Sequence, residues 1–357
     1  MLDASVIIPA FNRWRLLSEA VASVIGQRNL DFELIIVDDG STDETAARLP
    51  ALVTELFSAQ HPVRILRTDN HGPAAARNRG VDAARAPLVA FLDSDDLWQP
   101  GKLHRQVEYM KHNPECQVSQ TEEIWMRRGV RVNPGRRHQK RAGNFFLDSL
   151  RTCLISPSAV MIRTSTFHDL GGFDEDMRAA EDYDLWLRLQ LRHPVDLLPE
   201  PLVIRRAGHP GQLSSTMPAL DRFRILALLK LLRHSDLDCN QRNAVCDALV
   251  EKCRVYSNGA NRRGKWRQAA WIAALGRTAD NTWRTGANST LEDAIYALRN
   301  NLREHASTSA QLNQDSDVEK TNGESVDRNG ESVPIRAGEA LNTAQAKPVS
   351  RQRNTSD

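Results

Sequence analysis

Three carboxylates crowd into four positions where the apolar run LVAFLD ends: Asp93, Asp95 and Asp96, with Ser94 between them. So much negative charge in one place calls for a cation, and oxygen donors of this kind suit Mg²⁺ or Mn²⁺, which bridge readily to substrate phosphates. A plainer reading is that these acids only cap the following segment before Trp98 and Pro100. Three further polar clusters weigh against it. Pro9, Ala10, Phe11 and Asn12 follow SVII, and Asp38, Asp39 and Gly40 follow ELIIV. His71, Gly72 and Pro73 follow VRILRT and lead into Arg77 and Asn78. Singly, each is an ordinary turn or cap. Repeated at successive apolar runs, they mark the loops beyond the carboxyl ends of strands, where open α/β sheets bind their ligands.

The elements that must hold these loops are readable up to about residue 210. Short β-branched runs (SVIIP, ELIIVDD, VRIL, LVAFLD, SAVMIR, LVIRR) alternate with helical patterns, which predicts a mostly parallel sheet covered by helices. Leu17, Val21, Val24 and Ile25 share one helical face. Ser41 with Glu44 has the spacing of a capping box, and Pro73 fits the first turn of a third helix. From about 219 to 304 the pattern is helical, with Leu226, Leu229 and Leu232 in one segment and Trp266, Ala270 and Ala273 in another. Beyond about 305 the chain is rich in Ser, Asn, Gln, Asp and Glu with scarcely any large apolar residue, so burial cannot offset its ordering entropy and disorder is expected. The expected division is 1–215, 216–304 and 305–357.

At 357 residues, 41% hydrophobic and 26% charged, the chain can build one large core and a helical appendage. A formal charge of +2 gives no global sign of a nucleic-acid partner. Its five cysteines form no CxxC pair and the N-terminus has no basic region followed by an apolar run, so reduced thiols in a cytoplasmic setting are expected. Apolar runs are too short to cross a bilayer, which leaves contact at the inner face of the cell membrane as the form a membrane association would take.

The set VIIPAFNR, IIVDDGSTD, GPAAARNRGV, FLDSDDLWQPGKL, GGFDE and AEDYDLWLRL, in this order over roughly residues 4–210, resembles the family-2 inverting glycosyltransferases of the GT-A fold. That resemblance implies a sugar moved from a nucleotide-diphosphate donor, most commonly UDP, onto the hydroxyl of a glycan, lipid-linked or protein acceptor, as in polysaccharide biosynthesis. It also implies site residues. Pro9, Phe11 and Asp39 would hold the nucleoside, with Asp93 near the ribose. Asp95, in the position of the family's Asp-x-Asp, would bind the metal. Arg77 would lie near the nucleotide, unless it is an ordinary solvated arginine on a helix face. Asp182 would be the base that takes the acceptor proton, with Glu181 adjacent and able to compete for the role. His209, where family members often have a histidine, would contact metal or diphosphate, or else pack a loop. Trp186, on the helix of Asp182, would face the acceptor or lie in the core.

The chemistry required is consistent with these types. Departure of a diphosphate leaves charge that a divalent cation stabilises, and a sugar hydroxyl needs a positioned carboxylate to take its proton. A nucleotidyltransferase would share core and metal but normally follows its first strand with a glycine-rich loop, where this chain has PAFNR. A non-catalytic sugar-nucleotide-binding protein would be expected to lack Asp95 or Asp182. Two features stand apart. Seven Arg or Lys residues and no acid lie between Arg127 and Arg141, a solvated loop by default but a holder of an anionic acceptor if it borders the site. Cys239, Cys246 and Cys253 recur every seven residues on one face of a helix, as core residues do, and the segment after them resembles a tetratricopeptide-type hairpin.

Overall fold

The computed structural model describes residues 2–302, except 57–60, 210, 213–218, 235 and 287–289. The segment from 305 expected to be disordered lies outside the described residues.

Parallel pairing starts with β1 (Ala4–Ala10), β2 (Phe32–Asp38), β3 (Val63–Arg67) and β4 (Leu88–Phe91), linked by the helices α1 (Trp14–Ile25), α2 (Glu44–Leu56) and α3 (Pro73–Asp82). Then come β5 (Leu97–Trp98), α4 (Lys102–His112), β6 (Val118–Arg127), β7 (Val130–Val132), α5 (Phe146–Ser149), β8 (Val160–Arg163), α6 (Thr164–Asp169), α7 (Glu181–Gln190) and β9 (Asp196–Ala207). The sheet runs β3-β2-β1-β4-β8-β6-β9-β5, with β7 hairpinned onto β6. It is mixed: β8 is antiparallel to β4 and β6, β6 and β9 are parallel, and β5 is antiparallel to β9. Chain order reverses between β1 and β4, which lie side by side, and that reversal opens the crevice where such sheets take ligands.

Both faces of the sheet are covered, which is why β1 and β2 read as unbroken apolar runs. Val6, Ile8, Leu34 and Ile36 pack under α1 and α4, while Ile7, Ile35, Val37 and Phe91 pack under α3 and α7. Gly80 lets α3 sit directly on β1, since a Cβ there would collide with the Ile7 side chain. The register aligns Ala10 with Asp38 and Asp38 with Arg67, so the loops after three strands open at one edge.

The helices α8 (Asp221–Leu231), α9 (Cys239–Arg262) and α10 (Trp266–Asn281) and helical residues 291–302 bury a cluster that also includes Phe146, Leu150, Met177, Tyr183 and Leu187. Residues 1–303 form one compact unit. Lys230 bonds Asp174 and Asp184 at 2.7 and 2.6 Å, and Arg299 reaches Asp174 at 2.9 Å, so the helical part grips the motif GGFDE and the helix α7.

Several local expectations change. Ser41 does not cap α2: its hydroxyl accepts from the Asn12 amide across the strand ends, and the Asp43 carboxylate accepts from Thr45 instead. In α10 the inner face is Ala269, Ile272, Leu275 and Ala279, whereas Trp266 is 67% exposed. Cys246 and Cys253 are core residues, but Cys239 opens α9 in solvent, behind a capping box made by Asp238 and Gln241.

Candidate functional site

The loops after β1 and β2 are stitched together before any ligand is considered. Asn12, at a φ of 48°, donates its amide to Ser41 and accepts from the Thr42 amide at 2.8 Å, and the Arg13 amide bonds Thr45. Pro9 is buried within β1 opposite Val37, so Phe11, 41% exposed, is the ring this edge offers to a ligand. Asp39 is buried at the end of β2, where one oxygen accepts from the His71 amide at 2.9 Å and the other from the Gly72 amide at 2.8 Å. Burial raises its pKa, and those amides pull it part of the way back. Asp39 therefore fixes the approach to α3, whose first residue is Pro73, as expected.

Asp93, Asp95 and Asp96 each bring a carboxylate oxygen within 4.8 Å of the others. They are not equivalent. Asp96 is buried, accepts from Ser158 at 2.7 Å and from the Arg206 amide at 2.9 Å, and has its pKa pushed well up by burial and by Asp95 and Asp93. Arg206 also holds the Asp95 carbonyl. Asp95 keeps its carboxylate in the crevice, where one oxygen meets Arg13 at 3.2 Å and His209 at 2.9 Å. Histidine and carboxylate thus converge as the spacing of the sequence alone could not guarantee. Arg13, which follows PAFN without any signal marking it, places a positive charge where the cluster calls for one. Three carboxylates this close form the hard oxygen-donor set that suits Mg²⁺ or Mn²⁺, and His209 meets one of them, Asp95.

Arg77 is not on a solvated face. Its guanidinium is buried and bonds Asp93 and Glu181, each at 2.7 Å, with the Phe173 ring 5.3 Å beneath. Burial opposes its charge, but the two carboxylates outweigh this and its pKa is raised. Glu181 is 7% exposed, and its own pKa rises through burial although Arg77 pulls the other way. Asp182, the next residue, is half-buried, with the Cys153 thiol 3.6 Å from its Oδ2. Of the adjacent acids, then, Glu181 is locked into a buried ion pair, while the half-buried Asp182 has no cationic partner among the described residues and meets only the Tyr183 amide and the Cys153 thiol. Trp186 is buried edge-on to Phe173, so it belongs to the core and does not meet an acceptor.

The segment 153–158, which the sequence did not mark as part of the site, ties these groups together. Cys153 touches Asp182, Ser156 bonds Lys140 and Glu123, and Ser158 bonds Asp96 and accepts from the Asp93 amide.

Residues 5–171 match the model of the family described as Glycosyl transferase family 2. Over 191 residues the chain is 33% identical to an uncharacterized glycosyltransferase of Rickettsia felis, covering 54% of this chain and 31% of that protein. Over 247 residues it is 30% identical to an uncharacterized protein of Mycobacterium tuberculosis, covering 63% of this chain and 75% of that one. The chain spans about a third of the length of several curated relatives. Among solved structures, TarS 1-349 of S. aureus in complex with UDP aligns with a TM-score of 0.57 at 19% identity, over 83% of this chain and 92% of that one. The mannosyltransferase PcManGT from Pyrobaculum calidifontis, in complex with GDP-Man and Mn²⁺, aligns with a TM-score of 0.52 at 18% identity, over 83% and 85%. At such identities the likeness is one of fold.

Proposed function

We propose that the chain, whose residues 5–171 match glycosyl transferase family 2, acts as a member of that family and moves a hexose from a nucleotide-diphosphate donor, with UDP as the nucleotide, to an acceptor hydroxyl with inversion at the transferred carbon. Its fold is of the GT-A type. One observation carries the reading: the buried Arg77 joins the carboxylate cluster suited to a cation, at Asp93, to the acidic pair at the start of α7, holding Glu181 and leaving Asp182 half-buried beside Cys153 without a cationic partner among the described residues.

In this reading Phe11 and Asp39 receive the nucleoside, with Pro9 shaping the strand beneath, and Asp93 lies near the ribose. Asp95 and His209 would hold Mn²⁺ or Mg²⁺. When bound, the cation neutralises charge gathering on the departing diphosphate. Asp182 accepts the proton of the attacking hydroxyl, leaving its neighbour to position Arg77. Arg77 acts by fixing Asp93 and Glu181 and not by touching the nucleotide, since both ends of its guanidinium are taken. Residues 1–215 form the catalytic part and 216–304 a helical buttress, and glycan, lipid-linked and protein hydroxyls are all acceptors the site can address. No helix among the described residues is long and apolar enough to cross a membrane. Work at the cytoplasmic face through peripheral contact is part of the same proposal.

The test is donor turnover. A panel of nucleotide sugars with Mn²⁺ should reveal one hydrolysed donor, and Asp182→Asn should lower that turnover by about 10² to 10⁴-fold while sparing donor affinity. Near-normal turnover by a folded Asp182→Asn protein sinks the assignment, and loss only in Glu181→Gln moves the base one residue upstream.

A further inference from the structure

We propose that the wall of the crevice beyond Asp182 is an oxyanion subsite of the acceptor, where Arg205 and Arg137 flank a platform of Trp125 and His138 and take a phosphate or carboxylate near the attacking hydroxyl. The inference rests on the transfer reading above and adds the chemical class of the acceptor.

Placement comes first. The segment 153–158 touches the candidate base at Cys153, the ion pair of Lys140 and Glu123 at Ser156, and the acidic cluster at Ser158. Six residues span at most about 20 Å even when fully extended, so all three lie within the reach of a short acceptor. Arg205 stands beside this segment, in register with Trp125 across β9 and β6. The fields of Asp96, Asp182 and Asp93 all reach it, after that of Glu123.

Charge comes next. Glu123 and Lys140 form a buried pair at 3.0 Å, and Trp125 donates its indole N–H to the same carboxylate at 2.9 Å. Burial would raise the Glu123 pKa, but Lys140 and Arg205 with the Ser156 hydroxyl pull it down to about 2. Arg205 lies 3.9 Å from that already committed carboxylate, outside the buried pair. Its guanidinium rides 5.0 Å over the Trp125 ring and its side chain keeps 45% exposure, open to a ligand. On the other side, Arg137 bonds His138 at 3.0 Å, and the His138 ring lies 5.3 Å from Trp125. Burial lowers the His138 pKa, and both Arg137 and Arg205 lower it further, so both guanidiniums bear on the one imidazole.

Arg205, Arg137 and Lys140 stand around the platform, on a ribbon whose Arg127, Arg128, Arg131 and Arg136 are exposed and add to the positive field, against Glu123, already paired with Lys140, and the weaker fields of Asp96, Asp182 and Asp93. Such a field draws anions, and a guanidinium fork held flat on an aromatic face is built for bidentate contact with an oxyanion. The seven basic residues without an acid thus acquire a place and a target.

Calorimetry on the full chain saturated with UDP and Mn²⁺, so that the donor crevice is filled, tests this with sn-glycerol 3-phosphate and methyl glucuronide against glycerol and methyl glucoside. One anionic probe should bind about tenfold or more tightly than its neutral counterpart, and the two anionic arms distinguish a phosphate-bearing acceptor from an acidic glycan. Arg205→Gln and Arg137→Gln should each remove most of that preference, with Arg205→Lys retaining part of it. If Arg205→Gln does not fold, the exposed Arg137 carries the test. Equal binding of charged and neutral probes overturns the subsite, as does an Arg205→Gln protein that loses UDP affinity with its probe preference unchanged. Failure of the wild type to bind any UDP would instead overturn the transfer reading.

Discussion

Arg77→Met should be the most destabilising single change near the crevice, and the reason can be worked from its two partners. Methionine keeps the packing over Phe173 but removes the cation between Glu181 and Asp93. Asp93, 32% exposed, can turn to water, whereas Glu181, 7% exposed, cannot. Removing one partner of a buried pair costs about 3–5 kcal/mol. Unfolding entropy of about 2.1 cal/mol/K per residue over a body of about 300 residues gives roughly 0.6 kcal/mol/K, so Tm should fall by about 5–8 °C. Thermal unfolding followed by circular dichroism at pH 8 measures this. Glu181→Gln in the Arg77→Met background should recover at least half of the loss, because the stranded charge is then gone. The deficit also has a pH dependence. Burial already raises the Glu181 pKa and Arg77 holds it back, so without Arg77 it rises further. A carboxylate raised in the folded state favours folding below its unfolded value and loses that contribution as pH rises through the folded one, so the deficit should shrink as pH falls from 8 towards 5. A Tm within about 2 °C of wild type at pH 8, or no rescue by Glu181→Gln, would refute the reasoning.

Two further outcomes are expected. Chelation of Mn²⁺ should weaken UDP binding by wild type at least about tenfold, and Asp95→Ala should already bind at the chelated level in the presence of metal; calorimetry showing wild-type affinity in Asp95→Ala with Mn²⁺ would remove Asp95 from the metal. Glu123, depressed from 4.5 to about 2, contributes stability that is present above pH 4.5 and lost as pH falls towards 2, worth about 3 kcal/mol at neutral pH. Urea unfolding of wild type and Glu123→Gln should therefore differ most above pH 5, with the gap narrowing to about half by pH 3, and a gap that does not change with pH would show that the pair does not titrate as described.

What the sequence revealed depended on whether burial and polarity agreed. The strands β1, β2 and β4 are apolar because both faces are covered, so their ends, and with them Asp39, Asp93 and Asp95, could be placed from pattern alone. The strand β6 went unread although it is central, because Ser119, Gln120 and Thr121 are fully buried polar residues. Gln106 reaches the Ser119 carbonyl and hydroxyl, and Gln120 bonds the Arg141 carbonyl. Buried polar side chains of this kind are indistinguishable in sequence from a solvated loop. Ser41 misled for a related reason: its hydroxyl found a partner 29 residues away that local spacing cannot anticipate. Trp266 misled because one large aromatic residue outweighs several small ones in a periodicity, yet Ala269, Ile272 and Ala279 make the contact.

The distinction between Glu181 and Asp182 shows where the pattern ends and three-dimensional chemistry begins. Neighbours on a helix point about 100° apart, so only one of two adjacent acids can face the crevice, and the sequence does not say which. The residue before them, Ala180, sits at a φ of +56°, a left-handed conformation that costs a non-glycine residue roughly 1 kcal/mol or more and is kept only when its surroundings impose it. Here they do so from both sides. Arg77, fixed on α3 by burial and by Asp93, draws Glu181 inward, and Lys230, reaching from α8 to Asp184, holds the next turn of α7. With the helix pinned at both points, Asp182 is left against Cys153 at the crevice wall. Helix α8 thus bears on the site by setting the rotation of α7 through Lys230, and loosening Lys230 should disturb the orientation of Asp182 before it disturbs the acidic cluster at the end of β4.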